Sequence, residues 1–316
     1  MAYFVTGGAG FIGSHLSRKL LSLNLGPVRV FDNFTRSQSC PEQLCRAGAE
    51  VSRGDILDLT QLRDAMAGCE VVFHLAAKAT VMDCELNPAE AHSVNATGTL
   101  NVLKTAYDLG VRRVIVASSR EVYGEAPRQP VSEDSPVSPK NAYGASKAAA
   151  EAHCSCFDAA NLEVTALRLS NVFGPGDSDR VIPRFLNNAK SGKPLSLFGG
   201  DQVIDFVWVG TVVDAFITAA CGAYRRGSLN VGSGVGTTIL ETAQRVIESC
   251  HSHSQIRILP SREAEVSKFI ADISRSTREL GLKRPSDPLA ELARMSADWD
   301  AFPCLAEQSA LEHLPG

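Results

Sequence analysis

The sequence has no excess of positive charge, no long apolar run and no leader-like opening. Its 31 lysines and arginines are outnumbered by 35 aspartates and glutamates, which gives a formal net charge of −4. This balance disfavours a nucleic-acid-binding protein, because such proteins carry a clustered basic excess. No apolar stretch approaches the roughly 18 residues that span a bilayer, and no basic segment precedes the first strand pattern. We therefore expect a soluble, cytoplasmic protein with neither a nucleic acid nor a membrane as its partner.

Cysteine motifs are missing as well. The nine cysteines form no Cys-x-x-Cys pair and no Cys/His zinc spacing, and the nearest two, Cys154 and Cys156, are separated by a single residue. This usage is typical of reduced thiols in a cytosolic protein, so no metal site is predicted. With 44% apolar residues, the chain is long enough for one large domain or for a large domain with a smaller partner.

Apolar runs alternate with helical stretches through the first half of the chain. The predicted strands are Tyr3–Thr6, Val28–Phe31, Val71–Leu75, Val114–Ala117 and Val164–Leu169. The predicted helices are Gly13–Leu23, Leu59–Ala67, Pro88–Leu109 and a long Ala-rich helix that begins near Tyr143. Such alternation predicts an α/β fold with a doubly wound parallel sheet.

Beyond residue 170 the alternation is broken by the run Gly174-Pro175-Gly176. We predict helices near 181–191 and 240–250, and strands near 195–198, 205–209 and 229–231. These elements divide the chain into a large domain over residues 1–170, completed by strands near 205–231, and a smaller lobe formed mainly by residues 171–316 and interleaved with it.

A glycine-rich turn, Gly7-x-x-Gly10-x-x-Gly13, follows the first strand and opens a helix. Glycines let the backbone N–H groups approach a pyrophosphate, and the helix N-terminus supplies a partial positive charge. Asp32 closes the next strand nineteen residues after Gly13, where a carboxylate can bind both ribose hydroxyls and would repel a 2′-phosphate. The sequence therefore predicts a Rossmann-type domain that prefers NAD to NADP, although the nearby Arg36 argues the other way.

Tyr143 and Lys147 stand four residues apart on the predicted long helix, so their side chains share one face. A free tyrosine has a pKa of ~10 and is a poor base at neutral pH, but a neighbouring ammonium and a positive nicotinamide would stabilise its phenolate. The phenolate could then take a proton from a sugar hydroxyl as a hydride leaves for NAD. Ser119, at the carboxyl end of a strand, is placed to bind the same oxygen, whereas Ser118 can be a strand-end cap.

Longer stretches extend these motifs along nearly the whole chain. They are TGGAGFIGSHL from Thr6, FDNF from Phe31, HLAA from His74, SSREVYG from Ser118, YGASK from Tyr143, RLSNVFGPG from Arg168 and ADISRSTRELG ending at Gly281. In this order they resemble the extended short-chain dehydrogenase/reductase family, and within it the nucleotide-sugar epimerases and dehydratases, such as UDP-glucose 4-epimerases. The resemblance implies tightly bound NAD, a smaller C-terminal lobe for a nucleotide-sugar substrate, and a homodimer built through helices 88–109 and 143–160.

The resemblance also implies that Leu75, Ala76 and Ala77 line the cofactor and that Asn95 braces the site. Asp55 and Ile56, after the next short strand, could cover the adenine or could belong to a loop. The predicted NAD-contact set is Gly7, Gly10, Phe11, Ile12, Gly13, Asp32, Asn33, Asp55, Ile56, Leu75, Ala76, Ala77, Asn95, Tyr143 and Lys147.

The predicted substrate-contact set is Lys78, Ser119, Tyr143, Asn171, Arg180, Arg262 and Glu265. The planar fork of arginine suits a diphosphate, and Glu265 would hold a nucleotide ribose. Each of these charged side chains could instead be a solvated surface group. Ile204 is a departure, because it stands where family members commonly have an arginine that contacts phosphate.

Resemblance implies that all these enzymes first oxidise the sugar at C4, after which 4-epimerases, 4,6-dehydratases and decarboxylases diverge. Here Ser119 is followed by Arg120 and Glu121. Glu121 could abstract a C5 proton, but Arg120 cannot replace the acid of a dehydratase pair. Glu121 could instead be structural and paired with Arg120, and Arg120 could bind an acidic sugar such as a uronic acid.

We expect an NAD-dependent nucleotide-sugar 4-epimerase in which Ser119, Tyr143 and Lys147 are catalytic. The alternatives are a 4,6-dehydratase or a nucleotide-uronate decarboxylase in which Glu121 is catalytic too, and a non-catalytic dinucleotide sensor. The intact Ser119, Tyr143 and Lys147 argue against the sensor, which has no reason to keep that arrangement.

Overall fold

The fold is built from twelve strands and twelve helices among the residues that the computed structural model describes, which are 1–36, 41–178 and 180–299. The strands are β1 (Tyr3–Thr6), β2 (Val28–Asp32), β3 (Glu50–Arg53), β4 (Val71–His74), β5 (Arg113–Ser119), β6 (Glu163–Leu169), β7 (Asn171–Phe173), β8 (Leu195–Phe198), β9 (Val203–Trp208), β10 (Gly227–Val231), β11 (Gly236–Thr238) and β12 (Ile256–Leu259). The helices are α1 (Phe11–Ser22), α2 (Pro41–Arg46), α3 (Leu59–Met66), α4 (Val81–Leu86), α5 (Pro88–His92), α6 (Gly98–Asp108), α7 (Ala142–Ala159), α8 (Val181–Lys190), α9 (Val209–Cys221), α10 (Ile239–Ser249), α11 (Ser274–Leu280) and α12 (Leu292–Ala297).

Seven strands form one sheet in the order β10-β6-β5-β4-β1-β2-β3, and every neighbouring pair is parallel. The doubly wound parallel fold predicted from the sequence is thereby confirmed. The strand order reverses between β1 and β4. In sheets of this type, ligands bind at the carboxyl ends of the strands beside such a reversal.

Helices cover both faces of this sheet, so its strands are apolar on both sides. On one face, Leu16 and Leu20 of α1 pack in a fully buried cluster with Val212 and Phe216 of α9. On the other face, α3, α6 and α7 contribute to a second buried cluster, which includes Val102. These two layers fix the direction in which the strand ends and the helix N-termini point.

A smaller lobe follows β6. It holds a three-stranded sheet, β11-β9-β7, and a two-stranded sheet, β12-β8, which pack with α8, α10 and α12 around a third apolar cluster. Residues 300–316 of the predicted lobe lie outside the described part of the chain. The division of the chain into two domains stays a prediction.

The strand near 205–209 was expected to complete the main sheet, and this expectation is wrong. The strand runs over β9 and pairs with β7 and β11 instead. The outer edge of β6 is already occupied by β10, which pairs with it along five residues. Only the second strand of the predicted 205–231 region therefore joins the large sheet.

The helix predicted over 88–109 is divided into α5 and α6 by a π-helical turn at Ser93–Thr97. Pro88 occupies the first turn of α5, where its missing N–H costs nothing. Gly110 follows α6 with a φ of 70°, which suits the end of a helix. Helix α9 was not predicted, although its buried residues recur at helical spacing, at Val209, Val212, Val213, Phe216, Ala219 and Ala220.

None of the helices in the described ranges combines the length and the apolarity that crossing a membrane requires.

Candidate active site

A single cleft of ≈ 1610 Å³ runs along the carboxyl ends of the sheet strands and into the smaller lobe. Its walls include every residue proposed above to contact NAD or substrate, except Asn95. Asn95 is fully buried behind the wall. The fold therefore gathers residues that are up to 258 positions apart, from Gly7 to Glu265, around one space.

Two glycines of the turn between β1 and α1, Gly7 and Gly13, leave no room for a side chain. A Cβ on Gly13 would lie 2.1 Å from the Gly7 carbonyl oxygen, and a Cβ on Gly7 would lie 2.6 Å from the Ala76 nitrogen. Helix α1 has no side-chain cap at Gly10 and no acidic residue in its first turn, so its N-terminal N–H groups are left to an anion. The turn fits the pyrophosphate of a dinucleotide.

Asp32 lies at the adenosine end of the same space. Its carboxylate accepts hydrogen bonds from the backbone of Ala9 at 3.0 Å and of Phe34 at 2.8 Å. Burial raises the pKa of Asp32, and these backbone N–H groups oppose that rise. Asp55, which follows β3, lies beside this end of the cleft, because the Asn33 amide donates to the Asp55 carboxylate at 3.4 Å.

Arg36 had been the argument for NADP. Its guanidinium donates to the Thr80 hydroxyl at 2.8 Å and lies 3.8 Å from the Asp83 carboxylate. These contacts turn the arginine across the cleft toward the start of α4. The geometry at this end therefore favours the unphosphorylated ribose that Asp32 accommodates.

Asn95 lies in the π-helical turn and fastens the wall after β4 to α7. Its amide donates to the Lys78 carbonyl at 2.9 Å and to the Ser146 hydroxyl at 2.8 Å, and its oxygen accepts from the Lys78 backbone at 2.8 Å. The bracing role proposed for Asn95 fits these contacts. The Lys78 ammonium itself is paired with Glu90 at 2.7 Å.

A buried polar relay that the sequence reasoning missed joins β1 and β4 to α6. The His74 ring binds the Thr6 hydroxyl at 2.7 Å and the Thr99 hydroxyl at 2.9 Å. Burial lowers the pKa of His74 to about 3, so the ring is neutral. The feature of the sequence that could have indicated this contact is a polar residue, His74, at the end of the apolar strand β4.

Ser119, Tyr143 and Lys147 meet where β5 ends and α7 begins. Asn141 caps α7 by accepting from the Gly144 N–H at 2.8 Å. The Ser119 side chain lies close enough to Tyr143 to lower its pKa, and its hydroxyl accepts from the Glu121 N–H at 3.2 Å. The Lys147 ammonium donates to the Ala117 carbonyl at 2.8 Å. The three side chains thus share one wall of the cleft, as the spacing of the motifs predicted.

Burial dominates the electrostatics of this group. It raises the pKa of Tyr143 to about 12, although Arg180 and Ser119 oppose the rise, and it lowers the pKa of Lys147 to about 8. We had expected the lysine to help to lower the tyrosine pKa. The chain without a dinucleotide does not meet that expectation, because desolvation outweighs the favourable groups and the ammonium is directed at Ala117.

Ser118 also lines the cleft, but its hydroxyl is already bonded within the protein. Its hydroxyl donates to the Glu151 carboxylate, which also receives Arg168 at 2.7 Å. This buried pair joins the strand end to α7, and Arg168 continues to the Tyr123 hydroxyl at 2.8 Å. The choice of Ser119 over Ser118 as the site serine agrees with this geometry.

Glu121 and Arg120 are paired at 2.8 Å, and both side chains are almost fully buried. Asn141 donates to the second Glu121 oxygen at 2.8 Å, and the Arg120 Nε donates to Asn171 at 3.1 Å. The structural pairing that the sequence left open for Glu121 is therefore present. Asn171, which was predicted to contact substrate, accepts this hydrogen bond from Arg120.

The lobe side of the cleft carries several arginines. Arg180 is paired with Asp177 at 3.0 Å, and Arg262 is paired with Glu265 at 3.1 Å. Arg184, which the sequence reasoning did not single out, also lines the cleft from α8. The feature of the sequence that could have identified Arg184 is its position four residues after Arg180. Ile204, at the position of the family arginine, lines the cleft with an apolar side chain.

Among the residues that the structure describes, no group of three or more His, Cys, Asp or Glu side chains is arranged to hold a metal ion.

The glycine turn generates a prediction that separates folding from dinucleotide binding. A Cβ on Gly10 would meet only the Gly7 carbonyl oxygen, at 3.2 Å, so Gly10→Ala should fold. The same methyl group would stand where the pyrophosphate approaches, so bound dinucleotide should fall at least about tenfold. Dinucleotide released from the denatured protein measures this, with circular dichroism as the folding check. Full retention would show that the phosphates do not approach Gly10.

The lysine pKa generates a second prediction. Between pH 8 and about 10 the unfolded lysine binds a proton that the folded, dinucleotide-free protein does not hold, so Lys147 makes stability rise with pH there. Buried thiols with raised pKa values act in the opposite sense. The wild type should therefore gain stability relative to Lys147→Met across this window in urea unfolding. A pH-independent difference would contradict the lowered pKa.

Comparisons with known proteins agree with this site. The family model described as "NAD dependent epimerase/dehydratase family" matches residues 3–232. A UDP-glucose 4-epimerase of Mycolicibacterium smegmatis is 33% identical over 301 residues, covering 92% of this chain and 96% of that protein. A UDP-N-acetyl-alpha-D-glucosaminuronate decarboxylase of Bacillus cytotoxicus is 34% identical over 271 residues, covering 81% and 82%.

A solved structure extends the comparison to a third reaction. The dTDP-glucose 4,6-dehydratase DesIV of Streptomyces venezuelae, solved with NAD bound, superposes with a TM-score of 0.89. It is 28% identical, and the match covers 95% of this chain and 97% of that one. The glycine turn, the tyrosine–lysine pair and these matches lead to one conclusion: this chain is an enzyme of the NAD-dependent epimerase/dehydratase family, and its cofactor is NAD.

Proposed function

We propose that this enzyme is a nucleotide-sugar 4-epimerase. The observation that carries the proposal is the pairing of two arrangements on one wall: Ser119, Tyr143 and Lys147 are assembled for carbinol oxidation, while both oxygens of Glu121 are engaged by Arg120 and Asn141. The first arrangement supports oxidation at C4. The second arrangement engages Glu121, the acidic residue whose charge acts on Tyr143, in contacts with Arg120 and Asn141.

Tyr143 is the proton-transfer group in this proposal. Tyr143 and Ser119 line the same cleft and Ser119 is close enough to act on the Tyr143 pKa, so both hydroxyls could hydrogen-bond the sugar O4. As a phenolate, Tyr143 would take the O4 proton during oxidation and give it back during reduction. Lys147, held on the Ala117 carbonyl, keeps the tyrosine side of the wall positively charged when it is protonated.

NAD, held with its pyrophosphate at the Gly7–Gly13 turn, would accept the hydrogen and its electron pair from C4 and return them. Inversion needs the sugar to present its other face before the return. Phe198, Ile204 and Val266 line the cleft on the side of the lobe. The apolar Ile204 gives the sugar a wall without a fixed hydrogen bond, which suits a ring that must turn.

The nucleotide diphosphate is proposed to lie along the lobe arginines. Arg180 and Arg262 are each paired with one carboxylate, and Arg184 adds a further cation from α8. A diphosphate carries two or more negative charges and favours planar guanidinium groups. In this arrangement Arg184 offsets the missing family arginine at position 204. Lys78 and Glu265 remain candidate contacts for the diphosphate and the ribose.

Dehydration or decarboxylation through Glu121 is the second candidate. It is favoured by the position of Glu121, whose charge acts on Tyr143, and by the relatives that catalyse those reactions. A carboxylate in a buried ion pair, however, must give up that pair to accept a proton. The non-catalytic sensor is disfavoured, because a sensor does not need Ser119, Tyr143 and Lys147 together on one wall of the cleft.

We also propose a homodimer through α6 and α7. The two helices pack side by side and present Tyr107, which is 51% exposed and packs on Phe157 at a ring distance of 6.1 Å. A pair of such faces would bury these aromatic rings. A monomer in sedimentation equilibrium at micromolar concentration would refute it. The cytoplasmic location stays a prediction.

The reaction is tested by NMR of the enzyme with NAD and UDP-, dTDP- and GDP-sugars in D2O. An epimerase returns the original C4 hydrogen and does not deprotonate C5, so a C4 epimer without deuterium at C4 or C5 is expected. Tyr143→Phe should slow its formation by about 10²–10⁴-fold. A 4-keto-6-deoxy product carrying solvent deuterium, or CO2 released from a uronic acid, would transfer the chemistry to Glu121 and overturn the proposal.

A further inference from the structure

Arg120 and Glu121 form a buried ion pair directly beside the proposed reaction centre. The pair follows Ser119 in the chain, and both residues line the cleft. The distance from Nη2 of the arginine to Oε1 of the glutamate is 2.8 Å, and only 10% and 7% of the two side chains are exposed. A substrate whose reacting oxygen meets Ser119 and Tyr143 therefore brings its neighbouring groups close to this pair.

The pair is held rigidly from both sides. Arg120 donates through Nε to Asn171 at 3.1 Å, and its guanidinium lies 5.6 Å from the centre of the Phe269 ring. Glu121 accepts from Asn141, the residue that caps α7, at 2.8 Å. Neither side chain is free to swing away when a ligand arrives.

Arg120 can nevertheless still donate a hydrogen bond to a ligand, and Glu121 can still accept one. Within the described part of the chain, no protein group accepts from Nη1 of Arg120, and this atom is not sealed from solvent. Each Glu121 oxygen has one protein donor and can accept another hydrogen bond. The wall beside the reaction centre thus offers a donor next to an acceptor, with its charge already neutralised.

We propose that the Arg120–Glu121 pair is a specificity filter that admits nucleotide sugars with a neutral hydroxyl-bearing group beside the reacting carbon and rejects those with a carboxylate there. The inference rests on the proposed function and deepens it by naming the substrate class. It also reverses the suggestion made from the sequence that Arg120 binds a uronic acid.

The physical reason is the difference between a hydroxyl and a carboxylate. A hydroxyl both donates and accepts, so it can satisfy Glu121 and Arg120 together. A carboxylate only accepts, and it would lie beside the Glu121 charge while the adjacent Arg120 is already paired. Like charges in a partly dry site are strongly unfavourable and give specificity by repulsion.

Removing one charge of the pair should change the selectivity in a defined direction. Glu121→Gln keeps one acceptor oxygen, for either Arg120 or Asn141, and leaves the guanidinium without a counter-charge, so a carboxylate becomes a good ligand. Arg120→Gln leaves Glu121 as an uncompensated anion, so a carboxylate is rejected more strongly. Because the two variants act in opposite senses, a loss of folding in one leaves the other as a test.

The experiment measures the binding of UDP-glucose and UDP-glucuronate by calorimetry to the NAD-loaded enzyme carrying Tyr143→Phe, which prevents turnover. With the pair intact, UDP-glucose should bind at least about tenfold more tightly. Glu121→Gln in the same background should shift the ratio of the two dissociation constants by at least about tenfold toward UDP-glucuronate, and Arg120→Gln should shift it the other way. Retained NAD and circular dichroism report folding.

Glu265→Gln is the matched control, because it removes the same charge from another ion pair of the cleft. It should change the affinity for both sugars alike and leave their ratio unchanged. Equal binding of the two sugars with the pair intact, or tighter binding of UDP-glucuronate, would overturn the filter while leaving the epimerase proposal standing. Binding of neither sugar, nor of their dTDP and GDP counterparts, by the folded NAD-loaded enzyme would refute both.

Discussion

The contact on which the active site depends is the hydrogen bond from the buried Lys147 ammonium to the Ala117 carbonyl. It docks the first turns of α7 onto the end of β5 and so places Tyr143 against Ser119. The Asn141 cap and the Ser118–Glu151 contact hold the same two elements from either side. Without this docking, the glycine turn would still offer a dinucleotide site, but no proton-transfer group would face it.

Burial of Tyr143 and Lys147 also sets the pKa values on which proton transfer depends. A tyrosine whose pKa is raised to about 12 is protonated at neutral pH, and a lysine whose pKa is lowered to about 8 is still mostly charged at that pH. The chain alone therefore resists forming a phenolate. A positively charged nicotinamide bound beside Tyr143 would oppose this resistance by stabilising the phenolate. The cofactor is then an electrostatic partner as well as a redox partner.

Much of the fold and of the cofactor site could be predicted from the sequence, because both rest on local patterns. The apolar strands, the Gly7–Gly13 turn and the i, i+4 spacing of Tyr143 and Lys147 are of this kind. Other features depend on contacts between distant residues. β9 leaves the main sheet because β10 occupies the edge of β6, and the Arg120–Glu121 pair is fixed by Asn141 and Asn171. The residues that make these contacts lie far apart in the sequence, so no local pattern of residues reveals them.

The central claim is that Tyr143 transfers the proton during oxidation of a nucleotide sugar by bound NAD. It is tested most directly by rapid mixing of the NAD-loaded enzyme with excess UDP-, dTDP- or GDP-hexose while absorbance at ~340 nm, where reduced nicotinamide absorbs, is recorded. The account predicts transient reduction of the bound cofactor by at least one sugar in the wild type, slowed by about 10²–10⁴-fold in Tyr143→Phe. Reduction at an unchanged rate in that variant would contradict it.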